Sequence, residues 1–184
     1  MLGVDPAVAG ATGYGVIECT GAAPVLLRFG VLKLPAKTAF PSRLREIHGV
    51  IVRLVEEFSP DVVAVESVFT ALNVKTALKL AEIRGVVLLA AAQASVPAFS
   101  YSPREVKAAV AGYGAASKQQ MQQMVSSLLN LAEIPEPADA ADALAVALCH
   151  AQVFQARERM AAALGIGATI LSGPGGRRTV RVTR

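Results

Sequence analysis

Four acidic side chains stand at the ends of apolar segments of this 184-residue chain. Asp5 closes the first apolar run and Glu66 closes a second, so both are predicted at the carboxyl ends of buried strands. Asp139 and Asp142 begin a long alanine-rich pattern, and their spacing of three places both on one helix face. We therefore expect the four side chains to point at one shared site.

A cluster of carboxylates indicates metal-dependent chemistry. Like charges repel one another and are costly to bury, so such a site requires cations. Oxygen ligands suit Mg²⁺ or Mn²⁺, and two such ions roughly 3.5–4 Å apart are a recurring device of nucleases and polymerases. Taken alone, each acid is also compatible with a helix cap or a solvated turn. Together they predict a metal-dependent phosphoryl-transfer enzyme.

Length and composition are those of one folded domain. The chain is long enough for a full core, and a content of 53% hydrophobic and 17% charged residues excludes bulk disorder. No run reaches about 18 apolar residues, and the start lacks the basic and apolar regions of a signal peptide, so we expect a cytoplasmic protein. Cys19 and Cys149 are too few for a disulfide framework.

Charge is distributed unevenly along the chain. Residues 1–164 hold 14 Lys and Arg against 14 Asp and Glu, whereas the last twenty residues carry four arginines and no acid. We predict a nuclease domain over residues 1–163 and a flexible basic tail over residues 164–184. If metal ions neutralise the four clustered acids, the domain becomes mildly positive, which permits a nucleic-acid partner.

The apolar pattern predicts a mixed α/β fold. Three strands separated by glycine-containing turns come first and favour antiparallel pairing. Asn73 and Ser117 are predicted to cap two of the later helices, the second through a capping box with Gln120. The predicted strands are 1–5, 14–20, 24–34, 62–66 and 96–101, and the predicted helices are 41–58, 73–93, 103–111, one from 117, and 138–163. A sheet flanked by helices is the expected architecture.

This order of elements, with acids on the first strand, the fourth strand and the last helix, resembles the ribonuclease H-like nucleases. Short motifs in family order resemble those of RuvC, the family of bacterial Holliday-junction resolvases, from residue 1 to about residue 160. They are Gly-Val-Asp-Pro at 3–6, Thr-Gly-Tyr-Gly at 12–15, Val-Glu-Ser-Val-Phe at 65–69, Ala-Leu-Lys-Leu at 77–80, Arg-Gly at 84–85, Val-Lys at 106–107, Lys118, and Asp-Ala-Ala-Asp-Ala-Leu-Ala at 139–145. The resemblance implies a ribonuclease H-like fold with a mixed five-stranded sheet flanked by helices.

The resemblance also implies an activity. RuvC enzymes are structure-selective endonucleases of recombination and DNA repair that nick opposing strands of a Holliday junction, leaving 5′-phosphate and 3′-hydroxyl ends. By resemblance, two Mg²⁺ ions occupy each active site, and Mn²⁺ can substitute for them. Asp5 would bridge both ions and Glu66 would bind the ion beside the leaving 3′ oxygen. Asp139 and Asp142 would hold the ion that activates water.

Three partners are expected from the same resemblance. They are a four-way DNA junction, a second copy of the chain, and the RuvA–RuvB branch-migration complex. A homodimer matches the two-fold symmetry of the junction, because it presents two identical sites to two equivalent strands. The apolar faces of the helix predicted over residues 73–93 offer an interface, although intrachain core is the alternative; they include Leu78, Ile83, Val86 and Val87.

Five further residues are predicted to contact DNA. Phe69 lies in a loop where the family places an aromatic ring that stacks on unpaired bases, and packing within the loop is the alternative. Lys107 and Lys118 match family positions that bind backbone phosphate, with solvated surface lysines as the alternative. Lys75 and Arg84 could extend this basic surface, and an ordinary solvated helix face is equally compatible with Lys75.

Other functional classes share this type of sheet. The sugar kinase, Hsp70 and actin ATPases need two such domains around a nucleotide, and a chain of this length supplies one. A non-catalytic junction-binding protein would lose some of the four acids, and a generic ribonuclease H-like nuclease would cut another substrate. His150 lies eleven residues after Asp139, about 16 Å along a helix, so it is predicted to be structural rather than a ligand.

Overall fold

The computed structural model describes residues 1–8, 10–20, 23–67 and 73–164. Strands come first along this part of the chain, and helices dominate its second half. The strands are β1 (Leu2–Asp5), β2 (Ala11–Glu18), β3 (Val25–Lys33), β4 (Val63–Glu66) and β5 (Ala98–Tyr101). The helices are α1 (Phe40–Phe58), α2 (Val74–Gln93), α3 (Pro103–Ala111), α4 (Lys118–Leu128) and α5 (Ala138–Ala163).

The strands form one mixed sheet in the order β3-β2-β1-β4-β5. β1 pairs antiparallel with β2, and β2 with β3, as the short connections between them predict. β4 and β5 continue the sheet in parallel on the other side of β1, because α1 and α2 return the chain to the starting edge. The predicted five-stranded sheet flanked by helices is confirmed, and the carboxyl ends of β1, β4 and β5 share one edge.

The predicted bounds of β2 and β5 were wrong, and β2 also ends at Glu18 rather than at residue 20. β2 begins at Ala11 rather than at residue 14, because Ala11 pairs with Lys33 of β3 and Gly13 pairs with Asp5 of β1. Pairing on both sides outweighs the weak strand preference of glycine. β5 begins at Ala98 rather than at residue 96, because the residue before it is a proline, which has no amide hydrogen for the ladder.

Two layers of helices cover the two faces of the sheet. α1 and α2 pack on one face, where the core consists of branched side chains that include Leu2, Val4, Ile47, Ile51, Val63, Val65, Ile83 and Val87. α5 lies on the other face, with α3 and α4 packed against it. The buried side of α5 is rich in alanine: Ala140, Ala141, Ala143, Ala145, Ala147 and Ala151.

Glycines on the sheet allow α5 to approach it closely. A β-carbon added at Gly3 would overlap the carbonyl oxygen of Ala143, and one added at Gly13 would overlap the carbonyl oxygen of Asp139. Gly15, the next residue of β2 on the same face, lies against the side chain of Leu144 on α5. Any side chain at these positions would push the helix outward. The glycines therefore set the distance between α5 and the central strands.

Both predicted helix caps are present. The amide of Thr76 donates to the Asn73 side chain at 2.9 Å, which satisfies a free donor in the first turn of α2. Ser117 and Gln120 form the reciprocal capping box at the start of α4. These local interactions fix where the two helices begin.

Part of the predicted organisation falls outside the described residues. The basic tail from residue 165 onward does so, and so does the loop at 68–72 that carries Phe69. Within the ranges that the structure describes, no helix combines the length and the apolar character needed to cross a bilayer.

Candidate active site

Asp5 and Glu66 end two neighbouring parallel strands. Val4 of β1 pairs with Val65 of β4, so the acid that follows each of them lies at the same carboxyl edge of the sheet. Val4 and Val65 pack on the α1 side, and the strand period of two therefore turns both acids toward the α5 side. The two carboxyl groups lie close enough for each to influence the pKa of the other.

α5 brings the other two acids to this edge. Asp139 lies in its first turn, with its carbonyl oxygen against Gly13, and Gly13 is the antiparallel neighbour of Asp5. Carboxylate oxygens of Asp5, Asp139 and Asp142 lie within 4.8 Å of one another. Glu66 lines the same open space as Asp5 and Asp142, so the structure brings all four predicted acids to one region.

Crowding changes the acidity of the two strand-end carboxyls. Burial is the largest cause that raises the pKa of Asp5 well above 3.8, and the charges of Glu66, Asp142 and Asp139 raise it further. Burial also raises the pKa of Glu66, whereas its interaction with Asp5 and the charge of Lys107 lower it. Both carboxyls are therefore harder to ionise than the same acids in water.

Two lysines complete the site. The Nζ atom of Lys118 donates to Oδ2 of Asp142 at 3.1 Å, and this bond raises the pKa of Lys118. Lys107 faces the same space from α3 and acts on Glu66 through its charge. Lysines and acids line an open space of about 220 Å³, here called the carboxylate cleft, whose walls are Asp5, Glu66, Pro103, Val106, Lys107, Lys118, Met121, Asp142 and Ala145.

The residues present fit hard divalent cations. The donor set consists of carboxylates, which are the ligands that Mg²⁺ and Mn²⁺ prefer. Burial, together with repulsion from the neighbouring acids, raises the pKa of Asp5, and a bound cation would offset both effects. The cleft is open, so a metal-bound phosphate could enter from solvent. This arrangement suits hydrolysis of a phosphodiester.

Sequence comparison decides the family. A family profile described as "Crossover junction endodeoxyribonuclease RuvC" matches residues 1–150 of the chain. The chain belongs to the RuvC family. A relative of that name from Natranaerobius thermophilus is 47% identical over 160 residues, covering 87% of this chain and 99% of the relative. One from Desulfitobacterium hafniense is 48% identical over 164 residues, covering 89% and 99%.

Solved structures agree with the sequence comparison. The chain is similar to T. thermophilus RuvC in complex with a Holliday junction substrate, with a TM-score of 0.77 and 36% identity over 90% of this chain and 95% of that one. It also matches the yeast mitochondrial Holliday junction resolvase Ydc2, with a TM-score of 0.56 at 15% identity, which shows the fold alone. The predicted ribonuclease H-like fold and the predicted enzyme class, a crossover junction endodeoxyribonuclease, are confirmed.

Arg84 and Lys75, which were also predicted to bind DNA, do not line the carboxylate cleft of this RuvC chain. Arg84 donates from α2 to the hydroxyl of Ser100 on β5, and its Nε atom is buried without a hydrogen-bond partner among the described residues. Lys75 is exposed in the first turn of α2. Arg84 therefore connects two elements of the fold, whereas Lys75 is accessible to a ligand.

Sequence reasoning did not identify the apolar wall of the cleft. Pro103, Val106 and Met121 line it, and the amphipathic spacing of α3 and α4 was the available signal. The predicted structural role of His150 agrees with its surroundings. Its Nδ1 atom lies 2.7 Å from the hydroxyl of Tyr101, and burial lowers the pKa of His150 to about 4, so the ring is neutral near pH 7.

Proposed function

We propose that this chain resolves four-way DNA junctions by Mg²⁺-dependent hydrolysis of one phosphodiester in each of two opposing strands. The observation that carries the proposal is the cluster of Asp5, Asp139 and Asp142 at an open cleft that Glu66 and two lysines also line. Family membership supplies the reaction class, and the cleft supplies ligands of the matching chemistry. The corresponding cellular role is recombination and DNA repair in the cytoplasm.

Each acid has a distinct place around the proposed metal site. Asp5 ends the strand beside that of Glu66 and also lies with the α5 acids, so it would be the ligand available to both ions. Glu66 would hold the ion nearer β4, and Asp139 with Asp142 would hold the ion nearer α5. When bound, the ions would lower the pKa of an attacking water and stabilise charge on the phosphate oxygens and the leaving 3′ oxygen. The products would carry 5′-phosphate and 3′-hydroxyl ends.

The lysines are proposed to position the scissile phosphate. Lys118 must leave Asp142 in part when a metal ion binds, which frees its ammonium group for a phosphate oxygen. Lys107 already lies beside Glu66 and neutralises charge at the opposite wall of the cleft. Substituting either lysine by alanine should slow cleavage more than it weakens junction binding, which single-turnover kinetics and gel-shift titration in Ca²⁺ would separate.

A homodimer is proposed because α2 exposes an apolar stripe. Val74, Leu78 and Leu89 are 74%, 61% and 52% exposed, and helical spacing places them on one side together with Gly85. A β-carbon at Gly85 would meet no described atom within 4 Å, so packing within the described part of one copy gives no reason for glycine there. Glycine inside a helix costs roughly 0.5–1 kcal/mol relative to alanine, and close approach of a second helix would offset this.

Oligomeric state tests the proposed interface. Leu78→Glu should give a monomer in sedimentation, because the charge would be buried between two helices. Leu27→Glu is the matched control, since Leu27 is 45% exposed on the edge strand β3 and should leave the dimer intact. The monomeric variant should lose coordinated nicking of opposing strands. A Leu78→Glu protein that remains dimeric would remove α2 from the interface.

Residues outside the carboxylate cleft are proposed to add DNA contacts. Phe69 would stack on bases at the crossover, and Phe69→Ala should weaken junction processing with little change in melting temperature. Lys75 would contact phosphate, and Arg84 would support that surface through its bond to Ser100. The RuvA–RuvB complex is the proposed protein partner.

The basic tail is proposed to track phosphates on the duplex arms. The arginines at 177, 178, 181 and 184 are not accompanied by any acid in the last twenty residues. Deletion after Ser172 should reduce the slope of log K against log[salt] by up to about 0.9 per arginine that contacts phosphate. Single-turnover cleavage at saturating protein should stay the same. An unchanged slope would show that the tail does not contact phosphate, and that it either binds a protein partner or has no binding role.

One assay tests the proposed function as a whole. The protein is incubated with Mg²⁺ and, separately, a four-way junction, a linear duplex of the same sequence and an RNA–DNA hybrid. Paired nicks in opposing strands of the junction alone are expected, with Mn²⁺ substituting for Mg²⁺. Cleavage of the hybrid in preference would establish a generic ribonuclease H-like nuclease, and binding without cleavage would establish a junction-binding protein.

A further inference from the structure

An exposed aromatic side chain lies in the turn that joins two helices of the carboxylate cleft. Tyr113 lies in the turn between α3 and α4, the two helices that carry Lys107 and Lys118, and it is 48% exposed. Its hydroxyl donates to the Oε1 atom of Gln120 at 2.8 Å. The polar end of the side chain is therefore already bonded within the protein, and the ring faces are what it offers to a ligand.

The turn holds this ring in a defined place relative to the metal ligands. The same Oε1 atom of Gln120 accepts from the amide of Ser117 at 2.9 Å, within the capping box of α4. The next residue is Lys118, whose ammonium contacts Asp142 at 3.1 Å. A short series of hydrogen bonds thus links the phenol ring to the start of the helix that reaches the acids.

Cationic side chains accompany the ring. The backbone of Gly114 lies against Arg104, because a β-carbon there would be 2.6 Å from its Cγ atom and 3.2 Å from its Nε atom. Arg104 lies on α3 one turn before Lys107, which lines the cleft. The turn therefore combines an aromatic face with positive charge, which is the combination that binds single strands of nucleic acid through stacking and phosphate contacts.

We propose that the Tyr113 ring stacks on a nucleotide next to the scissile phosphate, with Arg104 contacting the adjoining backbone. This inference rests on the proposed function, because the strand that enters the carboxylate cleft supplies the nucleotide. Stacking on a phenol ring tolerates any base, so the contact holds the opened strand in position and adds affinity without reading sequence. The ring loses little conformational freedom on binding, because its hydroxyl is already held by Gln120.

The absence of tryptophan from the sequence allows a direct test. Tyr113→Trp introduces a single indole at the proposed contact, and Val25→Trp introduces one at a comparably exposed position, 54%, on the edge strand β3. Each protein is titrated in Ca²⁺ with a four-way junction while indole emission is recorded. We expect stacking to quench the emission of Tyr113→Trp and to leave that of Val25→Trp unchanged. Unchanged emission of Tyr113→Trp at saturating junction would overturn the proposal.

Two further substitutions separate stacking from support of the helix cap. Tyr113→Phe keeps the ring and loses the bond to Gln120, whereas Tyr113→Ala loses both. Stacking predicts that Tyr113→Ala weakens junction affinity by about 5- to 100-fold and that Tyr113→Phe stays within about twofold of wild type. Equal losses of junction affinity in both variants would show that Tyr113 acts by holding Gln120 in the cap of α4, and would overturn the stacking contact.

The outcome also separates this inference from the proposed function. If the wild-type protein cuts the junction in Mg²⁺ while the emission of Tyr113→Trp and the affinity of Tyr113→Ala are unaffected, only the stacking contact is rejected. If the wild-type protein neither binds nor cuts the junction, the proposed function itself is rejected, and the contact with it.

Discussion

The two faces of the sheet are packed by different means. On the α1 and α2 face, branched residues such as Ile51 and Ile83 separate the helix backbones from the strands. On the α5 face, glycines on β1 and β2 meet an alanine-rich helix, so that backbone approaches backbone. The first arrangement tolerates adjustment of side chains, whereas the second leaves little room for any added atom.

This difference is related to where the acids lie. Asp139 and Asp142 are carried by the helix that is in backbone contact with the sheet, and Asp5 ends the strand beneath it. Carboxylate oxygens that must share metal ions need positions defined within a few tenths of an ångström. Backbone contact provides that definition better than long side chains do. The face that carries the proposed active site is therefore the one with backbone contact between helix and sheet.

The largest expected effect is the loss of cleavage in Asp5→Asn. The substitution removes the carboxylate that touches both groups of acids, so the junction cleavage rate should fall by at least about a hundredfold. Junction affinity in Ca²⁺ should stay within several-fold, because phosphate contacts and stacking are made elsewhere. Cleavage near the wild-type rate would contradict the metal-site assignment.

The metal-free protein should show the cost of burying and crowding the acids of the cluster. The folded-state pKa values of Asp5 and Glu66 are raised, so their contribution to stability is present below about pH 4, the unfolded value, and is lost as pH rises through the folded values. His150 acts oppositely, since its folded pKa of about 4 lies below 6.5. The free energy of unfolding is measured with urea as a function of pH for the wild type and for Asp5→Asn. Subtracting the second profile from the first cancels the contribution of His150, which both proteins share.

In that difference profile, the wild type should lose stability relative to Asp5→Asn as pH rises, and added Mg²⁺ should restore it. The metal acts by binding the folded state only. The opposite result, a wild type that gains stability relative to Asp5→Asn with rising pH and without divalent metal, would show that the pKa values of these acids are not raised in the folded protein.

Gly13→Ala tests the backbone contact on the catalytic face. The added methyl group would overlap the carbonyl of Asp139, so we expect a loss of about 1–3 kcal/mol in unfolding free energy together with weaker Mg²⁺ binding. Gly49→Ala on α1 is the matched control, because its nearest neighbour would be Arg53 at 3.5 Å. The control should be more stable by roughly 0.5–1 kcal/mol, with unchanged metal affinity in calorimetric titration.

Ile51→Val should have the smallest effect and should affect stability alone. Removing one buried methylene from the α1 face costs about 0.5–1.5 kcal/mol, measured by urea unfolding. Cleavage rate under saturating Mg²⁺ should be unchanged, because none of the four clustered acids is carried by α1 or α2. A parallel loss of cleavage would show that the two faces are coupled more strongly than their packing indicates.

Local sequence patterns determined much of the fold and of the candidate site. Hydrophobic period, proline and capping residues determine where α3 and α5 begin, and the end of an apolar run places Asp5 and Glu66 at strand ends. The spacing of Asp139 and Asp142 determines that they share a helix face. Each of these statements concerns residues within a few positions of one another, where chain geometry leaves few alternatives.

Only the tertiary structure decided which distant groups meet. Lys118 contacts Asp142, which is 24 residues away. Arg84 instead donates to Ser100 and does not line the carboxylate cleft. Periodicity indicates which side of an element is buried, but the distance between two elements depends on the side chains present or absent at their contact. Here the glycines of β1 and β2 let α5 approach, and that approach brings Asp142 to Asp5.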